Sequence, residues 1–217
     1  MIIPLHRPTL GEKLFFLASG IITSVPLTLF VGTFTDSLCI ALPIFYATLC
    51  SVAIFTPFIE EFAKAFPLFY RHGETERSIF TLGLLVGLGF GFSEFLLYVL
   101  ALGAPIYVRL PGVFFHAAST SIIAYGIARK QPIRFYLIAT ILHFTNNFSA
   151  IIGSFYDIGY NIGGVAAIAI TIFLSLHLYK KLQKHFQIID KNNFGPWNVQ
   201  HLEKAILTTT YVQQNYH

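Results

Sequence analysis

The sequence predicts an all-α membrane protein, a polytopic bundle of transmembrane helices. Hydrophobic residues make up 55% of the 217-residue chain and charged residues only 11%, whereas soluble domains carry roughly 25% charged residues. The mean hydropathy is +0.66. The net charge of +4 comes from basic residues between apolar runs, which is typical of topology signals and does not indicate a nucleic-acid partner. We expect a multi-pass protein of the cell membrane, surrounded by lipid, and the sequence carries no signal for an oligomeric state.

Apolar runs of spanning length occur in order along the chain, since a helix needs about 20 such residues to cross a bilayer. A shorter run, 57–71, begins with Thr56 and Pro57, a capping hydroxyl and a first-turn proline. This proline is expected to separate the run from the preceding span. The predicted spans are 14–34, 38–55, 57–71, 79–102, 111–128, 135–152 and 161–180.

These runs predict a transmembrane protease domain over residues 1–184 and a polar cytoplasmic tail over 185–217. Cys39 and Cys50 fall in one apolar run. Because they form neither a CxxC motif nor a disulfide framework, they are predicted to be two small core residues.

Two topologies compete. The basic clusters fall on one side of the membrane if residues 38–71 form a single broken crossing, which gives six spans. In that arrangement, however, Glu60 would lie on the order of 20 Å from the other polar residues of the spans. We therefore predict about seven spans, with the N-terminus outside and the C-terminus inside, and six spans as the alternative.

Three glutamates, Glu60, Glu61 and Glu94, fall within apolar runs. A charge at the centre of a membrane helix costs roughly 2.5–3.5 kcal/mol, so such residues usually have a function. Residues four apart share a helix face, and Lys64 is therefore predicted to pair with Glu60 and keep it ionised. Tyr98, one turn after Glu94, is placed to donate a hydrogen bond to a carboxylate.

Two histidines lie in neighbouring apolar runs. His116 is followed by small residues, which indicates tight packing, and His143 shares a helix face with Asn147. Together His143 and Asn147 could polarise a carbonyl oxygen, as an oxyanion hole requires. Each residue alone could be a hydrogen-bonded core group. Their conjunction favours one catalytic site made of Glu60, Glu61, Glu94, His116, His143 and Asn147, supported by Lys64 and Tyr98.

Two mechanisms are open for such a site. A glutamate can take a proton from water, while imidazole and amide donors stabilise the oxyanion of peptide hydrolysis. Alternatively, the site holds a metal ion, for which zinc is the candidate, at Glu61, Glu94, His116 and His143. The chain contains no HExxH motif.

The ordered motifs resemble those of the PrsW family of intramembrane proteases, within the wider group of the CAAX prenyl endopeptidases. The resemblance implies an all-helical membrane protease. It also implies that Glu60 is the base and that His143 and Asn147 form the oxyanion hole, whereas the CAAX group has a histidine at the position of Glu94. The matching motifs are EExxK (Glu60, Glu61, Lys64), FxxxExxxY (Phe90, Glu94, Tyr98), Phe115-His116 with Gly126, and HxxxN (His143, Asn147).

The predicted function is therefore an intramembrane endopeptidase that cleaves a membrane-anchored protein substrate near the outer leaflet. The alternative is a proton- or cation-coupled transporter, because intramembrane carboxylates also serve there. That alternative predicts inverted repeats, which the hydropathy pattern does not show. A third hypothesis, a non-catalytic membrane scaffold, predicts that the glutamates and histidines do not meet in space.

Overall fold

The computed structural model describes residues 8–70, 76–156 and 162–193. Within them it contains six helices that are long and apolar enough to cross a membrane. An all-α polytopic bundle is therefore confirmed. The helices are α1 (Leu10–Cys39), α2 (Ile44–Tyr70), α3 (Glu76–Ala101), α4 (Ile106–Ala128), α5 (Pro132–Phe155) and α6 (Ile162–Asn193, with the apolar span Ile162–Leu182).

Local sequence signals account for several helix ends. At the start of α1 the Thr9 hydroxyl accepts from the Glu12 backbone N–H, and the Glu12 carboxylate accepts from the Thr9 N–H, which completes a capping box. Pro132 occupies the first turn of α5. Gly103, with φ of 68°, and Pro105 form the turn between α3 and α4.

The break predicted at Pro57 is wrong, because α2 is continuous from Ile44 to Tyr70. A π-helical segment, Leu49–Phe55, precedes the proline, and the Thr56 N–H bonds to the Ser51 carbonyl five residues earlier. In this register the missing N–H of Pro57 would have bonded to the Val52 carbonyl. The Asn147 side chain of α5 donates to that carbonyl instead, at 3.0 Å. A contact between helices thus satisfies the group that the proline leaves free.

Six crossings match the six-span alternative. Lys13, Arg77, Arg129 and Arg134 then lie at one end of the bundle, and Arg109 lies towards the other end. The prediction that the N-terminus lies outside and the C-terminus inside depended on seven spans. An even number of crossings does not place the two ends on opposite sides of the membrane. Helix α6 continues beyond the predicted domain boundary at residue 184 as far as Asn193. The remainder of the predicted tail, 194–217, lies outside the described residues.

The prediction that Cys39 and Cys50 are separate core residues is also wrong. They form a disulfide, with Cα atoms 5.8 Å apart. Helix α1 ends at Cys39, and the turn before Ile44 reverses the chain, so that Cys50 in α2 lies beside it. The apolar run 38–55 therefore contains a turn that hydropathy alone does not reveal.

The α3–α4 interface brings two backbones very close together. A Cβ atom on Gly87 would lie 2.2 Å from the carbonyl oxygen of His116, and one on Gly91 would lie 2.9 Å from the Cα atom of Val113. Glycine permits this approach because it has no side chain. The interface therefore holds the helix that carries Glu94 directly against the helix that carries His116.

Candidate active site

The glutamates and histidines predicted for one site meet inside the bundle. Glu61 is fully buried, and its Oε1 atom lies 2.6 Å from Lys64 Nζ, 2.8 Å from His143 Nδ1 and 3.2 Å from Ser119 Oγ. This single oxygen joins α2, α4 and α5. Because a carboxylate accepts hydrogen bonds, His143 presents its Nδ1–H to Glu61, and its Nε2 atom is left with a free lone pair.

Lys64 contacts Glu61, and this corrects the predicted Glu60–Lys64 pair. The Lys64 side chain is fully buried, and its Nζ atom also lies 2.9 Å from His116 Nδ1 and 3.3 Å from Ser119 Oγ. Residues three apart on a helix are neighbours just as residues four apart are, so sequence spacing did not decide between the two glutamates. The packing of Lys64 against α4 selects Glu61.

Glu94 and His116 form the second contact across the α3–α4 interface. Glu94 Oε2 lies 2.5 Å from His116 Nε2. A protonated lysine only donates, so the contact with Lys64 makes His116 Nδ1 an acceptor and leaves the ring hydrogen on Nε2, which points to Glu94. The Glu94 side chain remains 27% exposed.

Glu60 differs from its neighbour Glu61. Its Oε2 atom lies 3.7 Å from His143 Nε2, beyond hydrogen-bond range, and is buried without a hydrogen-bond partner among the described residues. Glu60, His116 and His143 each offer one ligand atom, and these atoms lie within 4.8 Å of one another. This group contains Glu60 in place of the Glu61 and Glu94 of the predicted metal set.

The two remaining predicted residues have partners other than those expected. The Tyr98 ring lies under the Arg109 guanidinium, 3.5 Å away, and no hydrogen bond joins it to Glu94 among the described residues. The Asn147 amide donates to the Val52 carbonyl. One of the two N–H groups of the Asn147 amide is therefore already used, and the other is left for another acceptor.

A cavity of about 890 Å³ opens beside these groups. Glu60, Glu94, His116 and His143 line it, whereas Glu61 and Lys64 lie behind its wall. Apolar residues of α6 such as Val165, Ile168 and Ile172 also line it. The cavity gives the four lining groups access to a bound molecule.

Sequence reasoning missed three residues of this region. Ser119 bonds to both Glu61 and Lys64, and its position three residues after His116 could have indicated that it shares a face with that histidine. Asn146 and Arg109 line the cavity. Asn146 is adjacent to Asn147 in the sequence, and Arg109 is a basic residue near a helix end, where such residues usually act as topology signals.

The family model described as PrsW family intramembrane metalloprotease matches residues 11–176. The chain belongs to the PrsW family. The match includes every glutamate and histidine of the site, and the resemblance seen in the motifs is confirmed. No curated protein and no solved structure matches the chain.

Membership of the PrsW family identifies the protein as a multi-pass membrane protease. The transporter hypothesis has no corresponding support. The scaffold hypothesis predicted that the glutamates and histidines would lie apart, and the contacts among Glu61, His143, Glu94 and His116 contradict that expectation.

The family description implies a metal ion, and the positions of the possible donor atoms show whether this site fits one. Two ligands at about 2.2 Å from one ion are at most about 4.4 Å apart, so the Glu60, His116 and His143 atoms within 4.8 Å need only a small contraction. A buried carboxylate oxygen without a hydrogen bond is costly. Among the described residues Glu60 Oε2 and Glu61 Oε2 are both such atoms, but only Glu60 lines the cavity, where an ion could reach it. Glu61 orients His143 as metal-bound histidines are usually oriented, through the other ring nitrogen. The residues fit a metal ion.

Proposed function

We propose that the protein is an intramembrane metallopeptidase that cleaves a membrane-anchored protein substrate inside its cavity. The observation that supports this most directly is the group formed by Glu60, His116 and His143 on the cavity wall. These three residues would hold the ion, for which zinc suits one carboxylate and two imidazoles. When bound, it supplies Lewis-acid activation of the attacking water and of the scissile carbonyl.

Glu94 is the proposed general base. The family resemblance suggests Glu60 for this role, but Glu60 faces His143 Nε2 with an unpartnered oxygen, which favours a ligand role. Glu94 lines the cavity, is partly exposed and contacts His116, a member of the proposed ligand group. A carboxylate placed there can take a proton from the water and return it to the leaving amine. Use of His116 Nε2 as a ligand requires that Glu94 release its present contact and that the ring hydrogen move from Nε2 to Nδ1, where Lys64 then no longer donates.

Glu61 and Lys64 are proposed to position the histidines. Glu61 fixes His143 through Nδ1, and Lys64 contacts His116 through Nδ1. A carboxylate partner such as Glu61 sets the orientation and basicity of a ligand ring, and Lys64 holds Glu61 in place. The free N–H of Asn147, together with the adjacent Asn146 amide on the cavity wall, is proposed to stabilise the oxyanion.

The test uses purified protein, a set of single-span peptides, mass spectrometry of products and elemental analysis of bound metal. Wild-type protein is expected to hold about one metal ion per chain and to cleave. Glu60→Gln should lose both metal and activity. Glu94→Gln should keep the metal and lose about 10²–10⁴-fold in kcat, the usual contribution of a general base. Glu76→Gln is the control, since Glu76 pairs with Arg129 away from the cavity, and it should behave as wild type.

Three outcomes would contradict this proposal separately. A wild-type protein that cleaves none of the peptides argues against the peptidase function. Undiminished cleavage after complete removal of metal argues against the ion. Loss of metal in Glu94→Gln argues against its assignment as the base.

A further inference from the structure

We propose that Arg109 forms a substrate subsite that binds a carboxylate side chain about three residues from the scissile bond. This inference rests on the proposed peptidase function and assigns a specificity to the same cavity. The position of Arg109 relative to His116 supports it. Arg109 and His116 are seven residues apart on α4, two helical turns, so they share one face, and both line the cavity.

Arg109 forms no ion pair among the described residues, whose ion pairs involve Lys64, Arg129, His116 and His143. The guanidinium hydrogen-bonds to Tyr98, but within the same part of the chain its buried Nε atom has no hydrogen-bond partner. Glu94, which also lines the cavity, is bonded to His116. A partly buried guanidinium with an unsatisfied N–H and no paired carboxylate is the chemistry of an incomplete anion site.

The guanidinium is also held in place before any ligand arrives. It stacks on the Tyr98 ring at 3.5 Å, and Tyr98 lines the same cavity. Stacking leaves the planar N–H fork free to bind an acceptor edge-on, which suits a carboxylate through two parallel hydrogen bonds. A side chain fixed in this way loses little further freedom on binding.

The spacing sets the position of the recognised residue. Seven residues of helix correspond to about 10 Å, and an extended peptide covers roughly 3.3–3.6 Å per residue. A substrate with its scissile carbonyl beside His116 would therefore reach Arg109 with the third residue along. The apolar α6 wall, which includes Val165 and Ile168, suits the remainder of a membrane segment. The expected substrate is apolar with one acidic residue.

The experiment uses a synthetic single-span peptide whose cleavage position has been mapped by mass spectrometry. The residue three positions before or after that bond is replaced by Glu or by Gln. Wild-type protein should cleave the Glu peptide with kcat/KM about tenfold higher than the Gln peptide at one of these positions, and should bind it more tightly in fluorescence anisotropy, as a charge-assisted hydrogen bond predicts.

Variants separate recognition from a structural role. In Arg109→Gln the Glu-to-Gln ratio should fall to about one, in Arg109→Glu a Lys peptide should become preferred, and Arg109→Lys should retain part of the ratio because it keeps the charge without the fork. Arg134→Gln is the matched control: Arg134 is exposed at the opposite end and should keep the wild-type ratio.

The proposal is overturned if wild-type protein shows equal kcat/KM and equal affinity for the two peptides, or if Arg109→Gln keeps the preference. It is also overturned if Arg109→Gln slows all peptides equally, since that would indicate a contact with lipid headgroups or a role in folding. If wild-type protein cleaves no peptide, so that no position can be mapped, tighter binding of Glu than of Gln at one position of a single-span peptide, lost in Arg109→Gln, would support the subsite and contradict the peptidase function.

Discussion

The two sides of the site, one buried and one facing the cavity, use adjacent residues of α2 in opposite ways. On the buried side Glu61 is fully enclosed and contacts Lys64, His143 and Ser119. On the cavity side, no hydrogen bond joins the Glu60 carboxylate to another described residue. One oxygen of each glutamate, Oε2, is buried without a hydrogen bond among the described residues, but only Glu60 lines the cavity. A carboxylate held by several hydrogen bonds fixes a structure, whereas one without them beside a cavity remains available to a ligand. The comparison supports the proposal that the buried side positions the histidines and the cavity side carries out the chemistry.

Removal of the lysine should have the largest effect on stability. Lys64→Met leaves the buried Glu61 carboxylate without its cation, and loss of one partner of a buried pair costs about 3–5 kcal/mol. We expect a corresponding fall in the free energy of unfolding, measured by SDS titration of the protein in mild detergent. The double variant Glu61→Gln with Lys64→Met removes both charges and should regain part of the loss. No recovery in the double variant would show that Lys64 acts through packing.

The same substitution at the two adjacent glutamates sharpens the comparison. Glu61→Gln weakens charge-assisted hydrogen bonds to Lys64 and His143 and should cost about 2 kcal/mol. Glu60→Gln removes a buried charge that forms no hydrogen bond at Oε2, so the free energy of unfolding of the metal-free protein should not fall. Both values come from the same SDS titration. Equal losses at the two positions would contradict the division into a buried side and a cavity side.

A change in the α3–α4 interface should have a smaller effect on stability while disturbing both sides. The Cβ atom of Gly87→Ala would contact the His116 carbonyl oxygen, which belongs to the backbone and cannot rotate away. Overpacking of this kind costs at least about 1 kcal/mol, and displacement of His116 should also lower metal content. Gly11→Ala is the matched control because nothing lies within 4 Å of its added atom. Unchanged stability and metal content in Gly87→Ala would show that the interface can relax.

The fold class, and the fact that the intramembrane glutamates and histidines meet, could be predicted from the sequence because both follow from solvation. Long apolar runs must be helices in lipid, and charges such as Glu61 and Glu94 are too costly there without partners. The hydropathy pattern therefore predicted the helices, and the charged residues within the apolar runs predicted the polar cluster.

The hydrogen-bond partners within the polar cluster were harder to predict from the sequence, because they depend on contacts between helices. Pro57 is a helix breaker in isolation, yet Asn147, ninety positions further along the chain, satisfies the carbonyl that it leaves free. The choice of Glu61 as the partner of Lys64 likewise depends on α4, where His116 and Ser119 contact the same lysine. The spacing of residues along one helix predicts neither of these two contacts.

The Cys39–Cys50 disulfide has a consequence for where cleavage products go. It joins α1 to α2 at the end opposite Lys13 and Arg77. Disulfides persist in oxidising compartments and basic flanks favour the cytoplasm, so two unrelated kinds of chemistry favour an exterior location for this end. Arg109, which lines the cavity, belongs to that end as well. A substrate cut in this cavity would shed its outer fragment away from the cytoplasm, and an impermeant thiol reagent added to intact cells after reduction would label the two cysteines.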